Sequence, residues 1–557
     1  MVTKHNGEFV AKKRPKKDRG KDVATGNGGM AELMRELWDA AVNLRGSIEP
    51  ADYKRYVLPV IFLRFLSLRY EKRRHQLELF IKDPGSDYFT EDDKIAASIL
   101  DDPDEYTSVQ TFVVPEVARW SHLLKHATDD DIKIKLDDAL EAVEKAYPDK
   151  LRGLLPRIYV GSNLSRENVT GLINLFSKDI FRAQYDAGRA GGEDVIGRVY
   201  EYFIGEFANS EGKRGGEYFT PASIVQTLVA MLEPQRGKVF DPCCGSGGMF
   251  VQSDMFTDSS GRLSFYGQEA KDFTYRLCRM NLFIHGLDGK IELGNSYFND
   301  GHEGLKADYI LATPPFNDGA KGSDGWGADR IVSKDPRLKL GDDSMPLSPR
   351  NANTMWMLHF LHHLSDGGTA GFVMATGELS NGETARSSVR QAIVEAGLVD
   401  CVVQLTGQLF ANTQIPCCLW FLSKNRNGKT KGYRKRTETL FIDGRKLGAL
   451  IDGSRKQKAL TREEIEQMAA VYREFRTKGT PKSVPGFCHA ANIEEIREHN
   501  YALTPGRYVG AEEIADDDEP FEDRFPLLMQ KLEEQFTKSH RLEKTIRSGL
   551  KEVADGV

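Results

Sequence analysis

The chain is poor in cysteine: seven thiols in 557 residues, with no C-x-x-C among them. Cys243, Cys244, Cys278, Cys401, Cys417, Cys418 and Cys488 are odd in number and scattered. They read as neither a disulfide framework nor a zinc site, and no metal is expected. Cys417 and Cys418 sit in the apolar run IPCCLWFL, which suits the buried thiols of a strand. Long apolar runs are also missing; none approaches the roughly 18–20 residues that span a bilayer. The N-terminus, MVTKHNGEFVAKKRPKKDRGKD, is basic without an apolar centre, so no secretory signal is expected and a cytoplasmic location is. A large excess of one charge is absent, the net charge being −6. That value does not announce a polyanion binder, although a basic patch can sit on an acidic protein. Finally, there is no G-x-x-x-x-G-K-[ST] loop: the GKT at 428–430 has Ser423 where the first Gly belongs, which excludes a P-loop motor.

What remains is an ordinary globular composition, 40% hydrophobic and 28% charged, long enough for several domains. Residues 1–29 form a Lys/Arg- and Gly-rich tail expected to be disordered. From 30 to about 180, apolar residues recur at three- and four-residue spacings. Leu33, Leu37, Ala41 and Leu44 make one series; Tyr53, Val57, Val60, Ile61 and Phe65 make another. The pattern predicts a helical N-terminal domain, with Gly46 and Pro50 between its first two helices. Pro59 is expected to kink the second helix or mark its true start.

Over 181–510 short apolar strands alternate with helices. KVFDPCC, LSFYGQE, ADYILATPP, GTAGFVMAT, VDCVVQL and IPCCLWFL read as strands; KDFTYRLCRMNLFIHG, NTMWMLHFLHHL and ARSSVRQAIVEAG read as helices. Such alternation predicts an α/β domain, a mostly parallel sheet covered on both faces, with ligands at the carboxyl ends of its strands. The polar stretch 324–350 is long for a loop inside a compact domain and is expected to be functional or disordered. In 511–557 a closing helix carries Phe525, Leu528, Leu532, Phe536, Leu542, Ile546 and Leu550 at helical spacing. It is suited to docking on a partner helix or to folding back on its own core.

Three motifs carry chemistry. In VFDPCCGSGGMF (239–250) a strand ends at Asp241, and Gly245, Gly247 and Gly248 form a turn that an ordinary Cβ would obstruct, with Ser246 between them a further cofactor-binding candidate. Backbone can approach a ligand there as the next helix begins. Glu269 ends the next strand, 21 residues beyond Gly248, near the spacing at which a carboxylate meets a ribose diol. The third motif is ATPPF, 312–316. An exocyclic amine conjugated with a base ring is a poor nucleophile. Two acceptors at its N–H groups draw it toward tetrahedral geometry and take up developing positive charge. The Pro314 carbonyl can be one and the side chain of residue 313 the other. Pro314 and Pro315 stiffen the loop, and Phe316 offers a face to an extruded base.

Together, and in this order, these pieces resemble the amino-methyltransferases of DNA. The segment GGEYFTPASIVQTLVAML (215–232) looks like the part of that family that closes over S-adenosylmethionine, with Glu217, Tyr218, Phe219, Thr220, Pro221 and Ala222 as cofactor contacts. LWDAAVNLRGSIEPADYKRYVLPVIFLRFL, VIGRVYEYFIGEFA and LTPGRYVG resemble the modification subunit of type I restriction–modification systems. The resemblance runs from Met30 to the end of the chain. It implies a Rossmann-like class I methyltransferase sheet and S-adenosylmethionine as cofactor. It also implies methylation of adenine N6 in double-stranded DNA, two copies pairing with one DNA-specificity subunit, and a separate restriction and translocase subunit. Asp241 would hold the amino group of the methionine moiety, Glu269 the ribose, and Asn295 the adenine ring, where family members often have Asp.

One residue departs from that pattern. Thr313 stands where adenine-specific members have Asn, giving a shorter arm that is both donor and acceptor. Three readings stay open on this residue. The enzyme methylates adenine with a shifted loop; or the site is impaired and the chain is a DNA-binding scaffold; or the target is cytosine N4, whose enzymes resemble this motif with Ser before Pro-Pro.

Overall fold

The structure, a computed structural model, describes residues 27–46, 48, 50–109, 111–178, 199–207, 220–257, 262–319, 326–331, 334–410, 413–451, 456–511 and 521–555. Glu217, Tyr218 and Phe219 lie outside these, as do residues 1–26 of the basic tail.

The first part is helical. Helix α1 (Asn27–Asn43) buries Leu37 and Ala41. Gly46, at φ +62°, turns the chain, and Pro50 opens α2 (Pro50–Lys82), where a missing N–H costs nothing. Pro59 therefore lies inside α2 and does not mark its start. From Val57 to Phe65 every residue is buried, and Arg64 is the one charged side chain in an otherwise apolar series. Helices α3 (Ile132–Ala146) and α4 (Arg166–Phe176) pack beside it, and α4 begins at a Ser165/Asn168 capping box. This core is not closed on itself. It takes in Leu277, Met280, Phe283 and Ile284 of a helix belonging to the sheet region, with Phe112 stacked on Phe283 at 4.6 Å.

The second part is a nine-stranded sheet. In chain order the strands are β1 (Gly237–Asp241), β2 (Leu263–Glu269), β3 (Gly289–Leu293), β4 (Ala307–Ala312), β5 (Leu364–Ala375), β6 (Val399–Leu405), β7 (Cys417–Ser423), β8 (Thr439–Gly444) and β9 (Cys488–Ala491). In space they run β9-β8-β6-β7-β5-β4-β1-β2-β3. Strand β7 is antiparallel to both neighbours, and β9 is antiparallel at the edge; the other pairs are parallel. The described residues of the connection 406–416 hold no helix, and β6 and β7 return as a hairpin-like pair rather than through a crossover. Three strands escape the periodicity reading: β3, where only Ile291 is buried, and the distal β8 and β9.

Successive strand residues point to opposite faces. Val239, Leu311 and Val403 pack under α5 (Ala222–Leu232), α6 (Gly248–Phe256) and α10 (Arg462–Thr477). Phe240, Ile310 and Val402 pack under α8 (Asn353–His363) and α9 (Thr384–Glu395). Helix α7 (Asp272–Ile284) carries the contact with the helical part. The last helix, α11 (Phe521–Asp555), keeps Phe525, Met529, Leu532, Phe536, Leu542 and Ile546 exposed. Among the described residues no helix is long and apolar enough to cross a membrane.

Candidate active site

Parallel register places the ends of β1, β2 and β4 at one edge, with Asp241 opposite Gly267 and Phe240 opposite Ile310. A cavity of about 1000 Å³ opens there. It is lined by Thr220, Pro221, Ala222, Asp241, Gly245, Ser246, Gly248, Glu269, Asn295 and the whole of Thr313–Phe316. Thus three stretches separated by tens of residues meet at the carboxyl edge.

The glycine turn divides its labour differently from the sequence expectation. Gly247 does not line the cavity; it caps α6 at φ +82°, where a Cβ would meet Cys278 Sγ at 2.9 Å. Gly245 needs its φ of +55°, but a Cβ there, or at Gly248, would meet nothing within 4 Å. Gly247 is obliged by both its φ and its neighbour, Gly245 by its φ alone; beside Gly245 and Gly248 lies open space in which backbone can meet a ligand. Asn281 Nδ2 donates to the Ser246 carbonyl (3.0 Å) and holds the turn from α7.

Asp241 is 2% exposed. Burial pushes its carboxyl up to about 7; the Cys243 amide (3.0 Å) and thiol (3.5 Å) donate to Oδ1 and oppose the rise, while Glu269 adds to it. A cationic group entering the cavity would restore the charged form. Glu269 is already engaged: the amides of Gly245 (3.1 Å) and Lys271 (2.9 Å) donate to its two oxygens. A carboxylate oxygen can accept more than one hydrogen bond, so the group is chemically suited to a diol in an orientation fixed by backbone. Asn295 follows β3 and accepts from the Tyr297 amide (3.0 Å).

The loop after β4, 313–316, is clamped from outside. Asn317 adopts φ +53°, its amide donating to Asn353 Oδ1 (2.9 Å) at the start of α8. Its Oδ1 accepts from Asn351 (3.0 Å) and Asn353 (3.1 Å), and Asn353 is tied to the buried Glu378 (2.9 Å). Thr313 lines the cavity, and its buried Oγ1 has no hydrogen-bond partner among the described residues. An acceptor held without a partner beside a cavity is suited to an incoming N–H. Phe316 meets the edge of Phe410 at 5.9 Å and 88°, which fixes its ring.

Sequence reasoning missed a second layer. Arg337, in the 324–350 stretch, is 4% exposed and held by Asp335. It donates to the carbonyls of Ser296 (2.5 Å) and Tyr297 (2.9 Å). Ser296 Oγ in turn donates to the Pro242 carbonyl (2.6 Å), so one guanidinium braces the loops after β3 and β1 together. Tyr297 accepts from Trp356 Nε1 (3.0 Å) and bonds Asp318, whose carboxyl burial raises against the pull of that hydroxyl. No motif announces Arg337; an Asp two residues before an Arg in a polar stretch was the only signal. The cavity also reaches the helical part, at Met34, Lys54, Leu58 and Glu206.

Residues 191–517, over half the chain, match the N-6 DNA methylase family. The chain belongs to that family. Residues 33–176 of this N-6 DNA methylase match the HsdM N-terminal domain. It is 38% identical over 533 residues to the type I restriction enzyme MjaIX methylase subunit of Methanocaldococcus jannaschii, covering 94% of this chain and 91% of that one. It is 41% identical over 425 residues to the HindI methylase subunit of Haemophilus influenzae, covering 74% and 91%. Its fold matches the type I methyltransferase subunit from Streptococcus thermophilus with a TM-score of 0.69 at 24% identity, over 86% of this chain and 99% of that one. The chain is thus a site-specific adenine methyltransferase of the type I methylase-subunit group, and neither the cytosine nor the scaffold reading is favoured.

Proposed function

We propose that this subunit transfers the methyl group of S-adenosylmethionine to N6 of an extruded adenine in double-stranded DNA. Two copies would work with one DNA-specificity subunit, and a restriction and translocase subunit would complete the larger assembly. The chain divides accordingly into the helical part, 30–180, the methyltransferase part, 181–510, and a docking helix, 511–557.

The observation that carries this reading is that Thr313, whose buried Oγ1 is unpartnered among the described residues, lines the cavity shared with Asp241 and Glu269. The cofactor fits the residues present. Asp241 would hold the ammonium of the methionine moiety, the open side of Gly245 and Gly248 would admit its backbone-facing part, Glu269 the ribose hydroxyls, and Asn295 the adenine edge, with Thr220–Ala222 closing the wall. The sulfonium supplies the electrophilic methyl group. Thr313 Oγ1 and the Pro314 carbonyl accept the two N–H groups of the target amine and localise its lone pair, and Phe316 stacks on the base. With the cofactor bound, its sulfonium would give up the methyl group to that nitrogen and become a thioether, and the surplus N–H proton would pass to solvent. The Asn317 clamp fixes these acceptors beforehand, so little reorganisation is required.

The test is transfer of a labelled methyl group into DNA by the protein with its specificity subunit, located by base-resolved sequencing. The expected result is methyl-adenine with the natural Thr313, a loss of about 100-fold or more in kcat for Thr313→Ala, and retained activity for Thr313→Asn. Label in cytosine, or transfer only by the Asn variant, would overturn it.

A further inference from the structure

A second hollow of about 470 Å³ opens at the amino edge of the sheet, opposite the active-site edge. Lys306 precedes β4, Lys424 follows the antiparallel β7, and Leu398 precedes β6, so all three fall at that edge. Lys339, from the 324–350 stretch, and His362, at the end of α8, complete the polar lining. None of the lining residues is acidic, and none of the three ammonium groups is in an ion pair among the described residues. Lys306 donates to the His362 carbonyl and Lys424 to the Leu364 carbonyl (3.0 Å), which leaves each with further N–H donors.

Like charges gathered without a counter-charge are costly unless something neutralises them. Burial, and then Lys306, push the Lys424 ammonium down; exposed Asp366 opposes this only in part. Burial, Lys306 and His363 push the His362 imidazole down to about 4, so it stands neutral and able to donate one N–H. The nearby Asp300 does not serve the hollow, because its Oδ2 is closed on His363 Nε2 at 3.0 Å.

We propose that this hollow is an anion site that binds a phosphate group, with Lys306, Lys339 and Lys424 as ligands. Three lysines and no acidic residue in the lining favour an anion over a cation in the hollow. The site is separate from the methyl-transfer cavity, across the sheet from Asp241, and does not depend on the reading of that cavity. Its phosphate can come from a free polyphosphate or from a nucleic-acid backbone.

Calorimetry of the intact protein with tripolyphosphate, and in a second arm with a short DNA duplex, tests this at low salt. Wild type is expected to bind tripolyphosphate. Lys339→Ala, which removes an exposed side chain, and Lys424→Ala are each expected to weaken that binding about tenfold, the worth of one charge-assisted contact. Circular dichroism confirms that both variants fold. If only the duplex binds, and Lys339→Ala and Lys424→Ala weaken it with a shallower salt dependence, the phosphate source is the nucleic-acid backbone. If neither probe binds, or both bind the variants as tightly as wild type, the lysines merely cap carbonyls at the end of α8 and the start of β5, and the proposal falls.

Discussion

At the scale of single residues, Asp241 makes the most direct prediction. Its carboxyl stands near 7 in the ligand-free cavity because burial disfavours the charge. In the proposed role, holding the cofactor's ammonium would require the charged form, so affinity should weaken about tenfold per pH unit as pH falls below that value. The same group opposes folding above its unfolded pKa, since the folded state holds the proton more tightly. Ligand-free stability should therefore fall as pH rises from about 4 to 7. Asp241→Asn should flatten both profiles, read by cofactor titration and by thermal melts across pH. Arg337 is a positioning residue. Arg337→Lys keeps a charge beside Asp335 but cannot span both carbonyls. KM for the cofactor should rise about tenfold, the worth of a hydrogen bond to a charged group, with a smaller change in kcat. A fall in kcat alone would show that Arg337 does not act through the Ser296–Tyr297 loop. Of these two residues, Asp241 is legible in the sequence through the glycine turn that follows it. Arg337 is not, because its partners are backbone carbonyls about forty positions earlier.

At the scale of elements, the turn into α6 and the loop after β4 are both set by backbone that few residues accept. Gly247→Ala combines a left-handed φ with a contact on Cys278 Sγ. The cost is about 2 kcal/mol of stability, seen as a lowered thermal midpoint, before any effect on the ligand. A midpoint equal to wild type would mean that the turn relaxes. Asn317→Ala should leave the fold intact while freeing the Pro314–Phe316 stretch; a roughly tenfold loss in kcat with cofactor affinity preserved would identify it as a loop clamp. The strand and helix alternation around this loop is readable because apolar runs and glycine punctuation are local. Strand β3 is not readable, since it buries one side chain, and the reversal of β7 follows from a connection too short for a crossover.

At the scale of the whole molecule, two features stand out. The helical part and the sheet share one core through α7, so the active-site cavity has a wall at Lys54 and Glu206 from the helical part. Helix α11 holds a row of large apolar side chains in solvent, which single chains rarely keep without a partner. Changing Leu532 and Phe536 to Ser should leave the melting of the isolated subunit within a degree or two and weaken assembly with the specificity subunit at least tenfold, measured by sedimentation. Unchanged assembly would mean that the helix docks elsewhere.

The order Asp-Pro-Cys-Cys-Gly-Ser-Gly-Gly, then Glu269, then Thr-Pro-Pro-Phe by itself determined the fold class and the cavity-lining stretches, because glycine turns, prolines and strand periodicity act over a few bonds; the family followed from resemblance of these and the N-terminal motifs to the DNA amino-methyltransferases. Only the tertiary structure decided which acceptor stands unpartnered, that burial lifts Asp241 toward neutrality, that Arg337 braces two loops, and that three lysines gather at the far edge of the sheet. Those outcomes depend on desolvation and on contacts between residues distant in the chain, which no local pattern encodes.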